Sequence, residues 1–600
     1  ALFTRDTIPI SHAKMNAQTW VDLDEYSLRE VLSSMALSGV QFDPKAVTPP
    51  LSLTLLQKIR YDNGNWRIDT KVKELKKGGQ KLPEFSAQVL FNPEQSHSQL
   101  WVNAFSVSTL TQVLTDVPGL ENIQPYLSQL KPSAELTNVV GSIDLEKPLF
   151  STIGLDFDGL QTTAYQSIPG VSRLSGRIIV DRGKGRIDLN GKGVVLDLGA
   201  LFRDPLQLSD LKTQLQVDFT RDEVLVEADA FYLKNSDLTM QGRLWLALPK
   251  KGRPFMSLRA DYREGDAKFT SRYLPVSIMS ASLVKWLDDS IQDGALDRGD
   301  LLFHGRLDKL TAFENNQSGE FEALFHMNNP KLKFLANWPE VSKGEITASF
   351  HNMGMNIDAV GTRFSSTRVA EANIKIPNFL QPTLSIKGST TTTARNVLDT
   401  LSAMPILNVM DEVKSKATKV SGKVSTNLEI TIPLGKKVKH KPRVVAKAEL
   451  FNVQLSIPEW MVEFDEVSGL LHIDEQQVTA PELKAKYYGD AARLTVDTDK
   501  NRNRTLFGLT GELHTRNLLT LLPDAMKLPA AGKSAWELQL SIDNQSSKDK
   551  ALIEFVAESS LQGTALDYPQ PLRVYEEEER QLTLSAELST DYLFQFQLHL

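Results

Sequence analysis

The chain has 600 residues, with 67 Lys and Arg against 74 Asp and Glu, a net charge of −7, 41% hydrophobic residues and no cysteine. That length supplies several cores, and the near-even charge balance argues against a nucleic-acid binder, which carries a basic excess or stripe. The missing cysteine excludes a disulfide framework, thiolate metal sites and a Cys nucleophile, and fits an oxidising compartment such as the periplasm.

No apolar run reaches the roughly 18 to 20 residues that a spanning helix needs. The chain starts on Ala1 and stops with strand alternation still running, so it reads as a segment of a longer protein. Along it, "EYSLREVLSSMAL" (25–37) spaces its apolar residues as a helix does, and "DPKAVTPPLSL" (43–53) reads as a linker. "DNGN" (62–65) is a turn. "STLTQVLTDVPGL" (108–120) predicts a short helix with Leu110, Val113, Leu114 and Val117 on one face. "DRGKG" (181–185) and "NGKG" (190–193) predict two further turns, and "YYGD" (487–490) another. "SASLVKWLDDSIQDG" (280–294) predicts a helix with Leu283, Trp286, Leu287 and Ile291 on one face, capped by Ser280 or Ser282 and ended by Gly294.

Between these lie strands of strict alternation. In "NLEITIPL", Leu428, Ile430 and Ile432 alternate with Glu429 and Thr431. Trp536, Leu538 and Leu540 alternate with Glu537 and Gln539, and Phe594, Phe596 and Leu598 alternate with Gln595 and Gln597. Each such strand has one apolar and one polar face, which suits an antiparallel sheet with one wet side. "TARNVLDTLSAMP" (393–405) and "HTRNLLTLLPDAM" (514–526) are alike, and Arg272, Arg395 and Arg516 precede short helices at near-even spacing. They predict tandem β-meander units, each closed by a small helix, with boundaries near 150, 270 and 435. If the sheets fold on themselves the apolar faces are core, and if they stay open the same faces form a channel. Periodicity does not choose between the two.

Sites of chemistry are scarce. The nine histidines are scattered, with no metal-ligand spacing. His304, His326 and His351 each follow a Phe on a strand, so they point outward. "GKGRIDLNGKG" fails the phosphate-loop pattern, and no GxSxG elbow is present. Asp156 with Asp158 and Asp288 with Asp289 read as solvated charges, and "YEEEER" (575–580) as an acidic turn. The basic "GKKVKHKPR", with Lys436, Lys437, Lys439, His440, Lys441 and Arg443, reads as a solubilising loop or a contact for anionic lipid headgroups. No cofactor, metal or catalytic residue is expected.

"SRYLP", "WLDDSI" and "GALDRGDLLFHGRL", followed by "NWPEV", "ANIKIPNFL" and "PTLSIKG", resemble the central region of the YhdP family, in the AsmA-like group of Gram-negative envelope proteins. "NGKGVVLDLGALFRDPLQLSDL" belongs to the same ordered series. The resemblance implies a mainly β fold: an elongated, twisted antiparallel β-sheet curled into a U-shaped hydrophobic groove, with a few short helices between repeat units. It implies a periplasmic segment of a protein anchored in the inner membrane. It also implies a non-enzymatic conduit in which phospholipid acyl chains move along the groove between inner and outer membranes. The expected groove residues are Leu244, Leu246, Leu248, Leu428, Ile430, Ile432, Trp536, Leu538, Leu540, Phe594, Phe596 and Leu598. The competing expectation is a β-rich scaffold or adhesin with closed sandwich cores.

Overall fold

The structure is a computed structural model. It describes residues 11–599 except 25–26, 42–48, 63, 79, 93–96, 115–123, 145–148, 167, 309–312, 314–318, 335–337, 404–413, 435–442, 459–461, 475–476, 500–503, 520–528, 544–552 and 589–592. The chain forms two compact units, Ala1–Asp288 with Leu296–Ala323, and Asp289–Ala295 with Leu324–Leu600.

The first unit contains β1 (His12–Asp24), β2 (Ser27–Gln41), β3 (Leu51–Asp62), β4 (Asn65–Lys77), β5 (Gln80–Leu82), β6 (Phe85–Phe91) and β7 (His97–Ser106). After α1 (Val107–Leu114) and α2 (Gln124–Leu130) come β8 (Ser133–Asp144), β9 (Leu149–Thr162), β10 (Gly170–Asp181), β11 (Lys184–Asp197), β12 (Leu206–Phe219), β13 (Glu223–Lys234), β14 (Thr239–Pro249) and β15 (Phe255–Asp266). The chain passes between the units within α3 (Ala281–Ser290), β16 (Ile291–Arg306) and β17 (Gly319–Leu332). The second unit continues with β18 (Val341–Ser342), β19 (Glu345–His351), β20 (Gly354–Val360), β21 (Arg363–Phe364), β22 (Thr367–Arg368), β23 (Glu371–Ile376), β24 (Thr383–Thr393) and α4 (Ala394–Ser402). Then follow β25 (Lys419–Pro433), β26 (Arg443–Ile457), β27 (Val462–Asp474), β28 (Gln477–Tyr487), β29 (Asp490–Asp499), β30 (Arg504–His514), α5 (Thr515–Leu519), β31 (Ala530–Asp543), β32 (Ile553–Ser559), β33 (Thr564–Leu566), β34 (Leu582–Leu588) and β35 (Leu593–His599).

The fold is thus mainly β, and within each unit long strands pair antiparallel with their neighbours in the chain. Such a meander places alternate connections at opposite ends of the strands. In the first unit one end carries tight turns, among them 182–183 and 220–222, while the other carries α1, α2, α3 and short 3-10 turns. In the second unit, likewise, α4, α5 and the long 560–581 connection occupy one end of the strands. The helix-bearing end is where the apolar face is closed. Val113 of α1 packs with Val72, Leu75 and Leu82, and Ala394 of α4 packs with Val424 and Ala448.

Four local expectations are corrected. Residues 27–41 form strand β2, not a helix, because β1 and β3 pair with it on both sides and satisfy its backbone as a ladder. "NGKG" is no turn: it lies inside β11, where Gly193 at φ +65° accompanies a register shift against β10 between Ser172 and Ser175. Helix α1 leaves Leu110 exposed and buries Thr109 instead. Ser280 does cap α3, its hydroxyl accepting from the Leu283 N–H at 3.3 Å, but the helix stops at Ser290 and β16 starts at Ile291. Gly294 therefore sits in the strand, at φ +148°, where a Cβ would lie 2.5 Å from the Met327 sulfur.

Candidate functional site

Residues directly opposite in an antiparallel ladder share a face, so the register identifies rows that run across the strands. One row in the first unit begins Val21–Val31–Ile59–Ile68–Val89–Leu100–Gly141–Ile153. It continues Val180–Gly185–Val217–Val226–Leu246–Met256. No polar side chain interrupts it from β1 to β15, with β5 standing outside the row. Val21 is exposed, Gly185 and Val217 are buried, and the rest are half-buried. The row lies toward the tight-turn end of the strands, away from the helices.

One residue along each strand the facing changes, and the row there is mixed, with charged and amide side chains among the exposed Trp20, Leu32, Trp101, Val140, Ile179 and Trp245. Lys58, Asp69 and Gln88 stand opposite one another on the other face, as do Arg186, Gln216 and Glu227. Asp69 accepts from Arg60 at 3.3 Å, from Arg67 at 3.2 Å and from Gln88. Burial alone would raise its carboxyl, but these donors more than offset that and hold it below the usual carboxylate range. Asp156, offered by the sequence as half of a carboxylate pair, belongs to this mixed face. The Arg177 guanidinium at 2.6 Å and Asn138 at 2.8 Å hold its pKa at about 2. Asp288 is likewise a structural group, taking both oxygens to Arg203 at 3.0 and 2.6 Å.

In the second unit the corresponding row reads Ile346–Ala359–Ala372–Gly388–Leu428–Ala446–Ile473–Val478. Two residues on in β28 it resumes as Ala480–Val496–Phe507–Leu540–Phe555–Ala586. Beside it runs Leu483–Leu494–Leu509–Leu538–Ala557–Leu584.

These rows sort the residues singled out by sequence. Leu246 stands in the first-unit row with Leu244 and Leu248 on the same face, and Leu248 is 38% exposed. Leu428 and Leu540 stand half-buried in the second-unit row. Ile430 and Ile432 share that face but are buried, at 3% and 9% exposure. Trp536 and Leu538, at 2% and 7%, are sealed in a core with Leu513, Leu518, Leu561, Leu566 and Leu582. For Trp536 and Leu538 the expectation of an open lining gives way to ordinary packing, as side chains from α5 and the 560–581 connection cover them, and Ile430 and Ile432 are too buried to line an open face. Phe596 and Leu598 pair in β35 with Ala586 and Leu584, and Phe594 lies in the same strand.

Sequence reading missed the row's first half, from Val21 to Ile153. Its signal was present: Trp66, Ile68, Thr70 and Val72 alternate with Arg67, Asp69 and Lys71. The basic loop lies outside the described residues apart from Arg443, which pairs with Asp474 at 3.3 Å. His304 is exposed behind a buried Phe303, as expected, and the half-buried His326 meets the Thr347 hydroxyl at 3.0 Å. Among the described residues no cluster of three potential metal ligands occurs, and no helix is long and apolar enough to cross a membrane.

The family model described as YhdP protein matches residues 6–600. The chain is also similar to the "Intermembrane phospholipid transporter YhdP" of Escherichia coli (strain K12), with 20% identity over 555 residues. That match covers 90% of this chain and 43% of the relative, so the chain spans less than half the length of the curated relative it matches.

Proposed function

This chain belongs to the YhdP family, and on that premise we propose that it is a non-enzymatic conduit along which phospholipids pass between the inner and outer membranes, across the periplasm. The observation that carries the reading is the apolar row from Val21 to Met256, uninterrupted by any polar side chain and half-buried for most of its length, where the row on the opposite face is broken by Lys58, Asp69, Gln88, Arg186, Gln216 and Glu227. Taking an acyl chain into water costs about 0.8 kcal/mol per methylene, on the order of 12 kcal/mol for a sixteen-carbon chain. A row that stays apolar from strand to strand removes most of that cost at every step, so the lipid meets no large barrier as it slides. The headgroup needs no pocket if it rides in water beside the row. Nothing in this mechanism consumes a nucleotide, so net direction comes from a gradient or from a partner. Leu244, Leu246, Leu248, Leu428 and Leu540 are the lining residues we assign among those expected from sequence.

The test is photo-crosslinking from single sites in the lipid-loaded chain, with bound lipid identified by mass spectrometry. Crosslinkers at Val226 and Leu246 should capture phospholipid, and crosslinkers at Gln216 and Glu227 should not. Equal capture from both faces, or none from either, overturns the reading.

A further inference from the structure

The apolar face of β1–β4 contains one polar row. Thr19, Ser33, Gln57 and Thr70 stand opposite one another across four strands, and the row turns apolar at Ala87 in β6. Two residues along the strands, about 7 Å away on either side, lie the apolar residues Val31, Ile59 and Ile68 and the apolar residues Met35, Leu55 and Val72. Alternation puts the neighbouring Lys58 on the opposite face, where it pairs with Glu30 at 2.6 Å. The polar groups on the apolar face are therefore all neutral.

They are also incompletely used. The Gln57 amide donates one hydrogen to the Thr70 hydroxyl at 3.2 Å, and the Thr19 and Ser33 hydroxyls meet at 3.4 Å. The second Gln57 N–H and its carbonyl oxygen have no partner among the described residues. Thr19 is exposed and Ser33, Gln57 and Thr70 are half-buried, so their spare donors are open to a ligand lying on this face.

We infer that this row is a subsite for the ester carbonyls of a diacyl lipid. The inference rests on the conduit reading above and names the part of the lipid this stretch recognises. An ester carbonyl is a neutral acceptor, matched by hydroxyl and amide donors. Both ester groups sit where the acyl chains begin, so chains leaving them meet apolar side chains in either direction. A phosphodiester is a poorer fit, because an anion here would lose water without gaining a cation. Four adjacent strands offering the same chemistry let the carbonyls exchange partners as the lipid slides. The row so fixes how deep the glycerol lies on the sheet.

The test displaces pyrene-labelled phosphatidylglycerol from the full chain with three competitors: diacyl phosphatidylglycerol, its dialkyl ether analogue, and diacylglycerol. The wild-type chain should favour the diester over the diether by about three- to tenfold, and diacylglycerol should compete like the diester. In the near-isosteric variant Thr19→Val/Ser33→Ala/Gln57→Leu/Thr70→Val that preference should vanish while affinity for the diether is kept. Equal competition by diester and diether in the wild type overturns the ester subsite and leaves the conduit standing, and so does a preference that survives the fourfold variant. A preference for phosphate, with diacylglycerol failing to compete, assigns the row to the headgroup instead and also overturns it. Failure of every lipid to bind sinks the conduit and the subsite together.

Discussion

The strand pairs β30–β31 and β13–β14 carry the same pattern and end in different environments. Leu509 faces Leu538 with Trp536 two residues along, just as Val226 faces Leu246 with Leu244 two residues along, yet the first three are almost wholly buried and the second three half-buried. The difference is a cover. Leu518 of α5, with Leu561, Leu566 and Val574 from the connection after β32, is packed onto Trp536 and Leu538. A buried hydroxyl cluster pins the cover: Thr515 reaches Thr564 at 2.6 Å and Ser534 at 3.2 Å, and the Trp536 indole N–H donates to Thr515. Alternation decides which face is apolar, and the connector decides whether that face becomes a core or a surface.

The sharpest way to break this comparison is Trp536→Ala, which should cost about 3–5 kcal/mol in the second unit by denaturant unfolding. A loss under about 1 kcal/mol would mean that the cover is loose and the two regions are alike. Asp490 tests the attachment of the cover. It accepts from the His514 ring at 2.7 Å and from Lys533 at 2.5 Å, on the two sides of α5. Burial pushes its carboxyl up, but Lys533 and the two His514 N–H groups outweigh this, and its pKa is lowered. Because the folded value lies below the unfolded one, near 3.9, the group contributes stability above that pH and loses it as pH falls through the folded value. Asp490→Asn should therefore cost about 1–3 kcal/mol at pH 6 and markedly less at pH 3. An equal cost at both values would show that the carboxylate charge is not what holds the cover.

Leu246→Asn should act the other way round. Its side chain already meets solvent, so stability should fall by under about 1.5 kcal/mol, while lipid capture from a crosslinker at Val226 drops severalfold. Destabilisation equal to that of Trp536→Ala would make the open row a core in disguise. Smallest of all, Asp156→Asn should leave the melting temperature within about 2 °C of wild type, because an exposed pair such as Asp156–Arg177 contributes little. A larger shift would mean that the mixed face does more than keep the sheet wet.

Much of the fold was legible because strand periodicity is local. The strands holding Leu428–Ile432, Trp536–Leu540 and Phe594–Leu598 lie where alternation puts them. Strand β2 was not legible because Leu28, Val31, Leu32 and Met35 satisfy helical spacing while Val31, Met35 and Leu37 also fit a strand. Pairing with β1 and β3 settles the ambiguity, and pairing is not written in the segment itself. The candidate site was half legible for the same kind of reason. Ile430 and Leu428 look equivalent in sequence, and nothing within one strand tells that one is buried and the other half-open. Over Trp536 and Leu538 the cover comes from α5 and from the connection after β32, not from the strand itself.

One irregularity behaves like a reading frame. Strand β13 carries one more residue than either neighbour between Ala228 and Phe231, and Asp229 and Ala230 both lie exposed there. The extra residue keeps Val226, Ala228, Phe231 and Leu233 on one face although their spacing is not even throughout. Deleting Ala230 would swing Phe231 and Leu233 to the opposite side while Val224 and Val226 stayed in place. The error would end at the next turn, since every strand sets its own phase. A chain built this way tolerates insertions and deletions strand by strand, provided each half-strand keeps its parity, which lets sequences drift far apart while the apolar row persists.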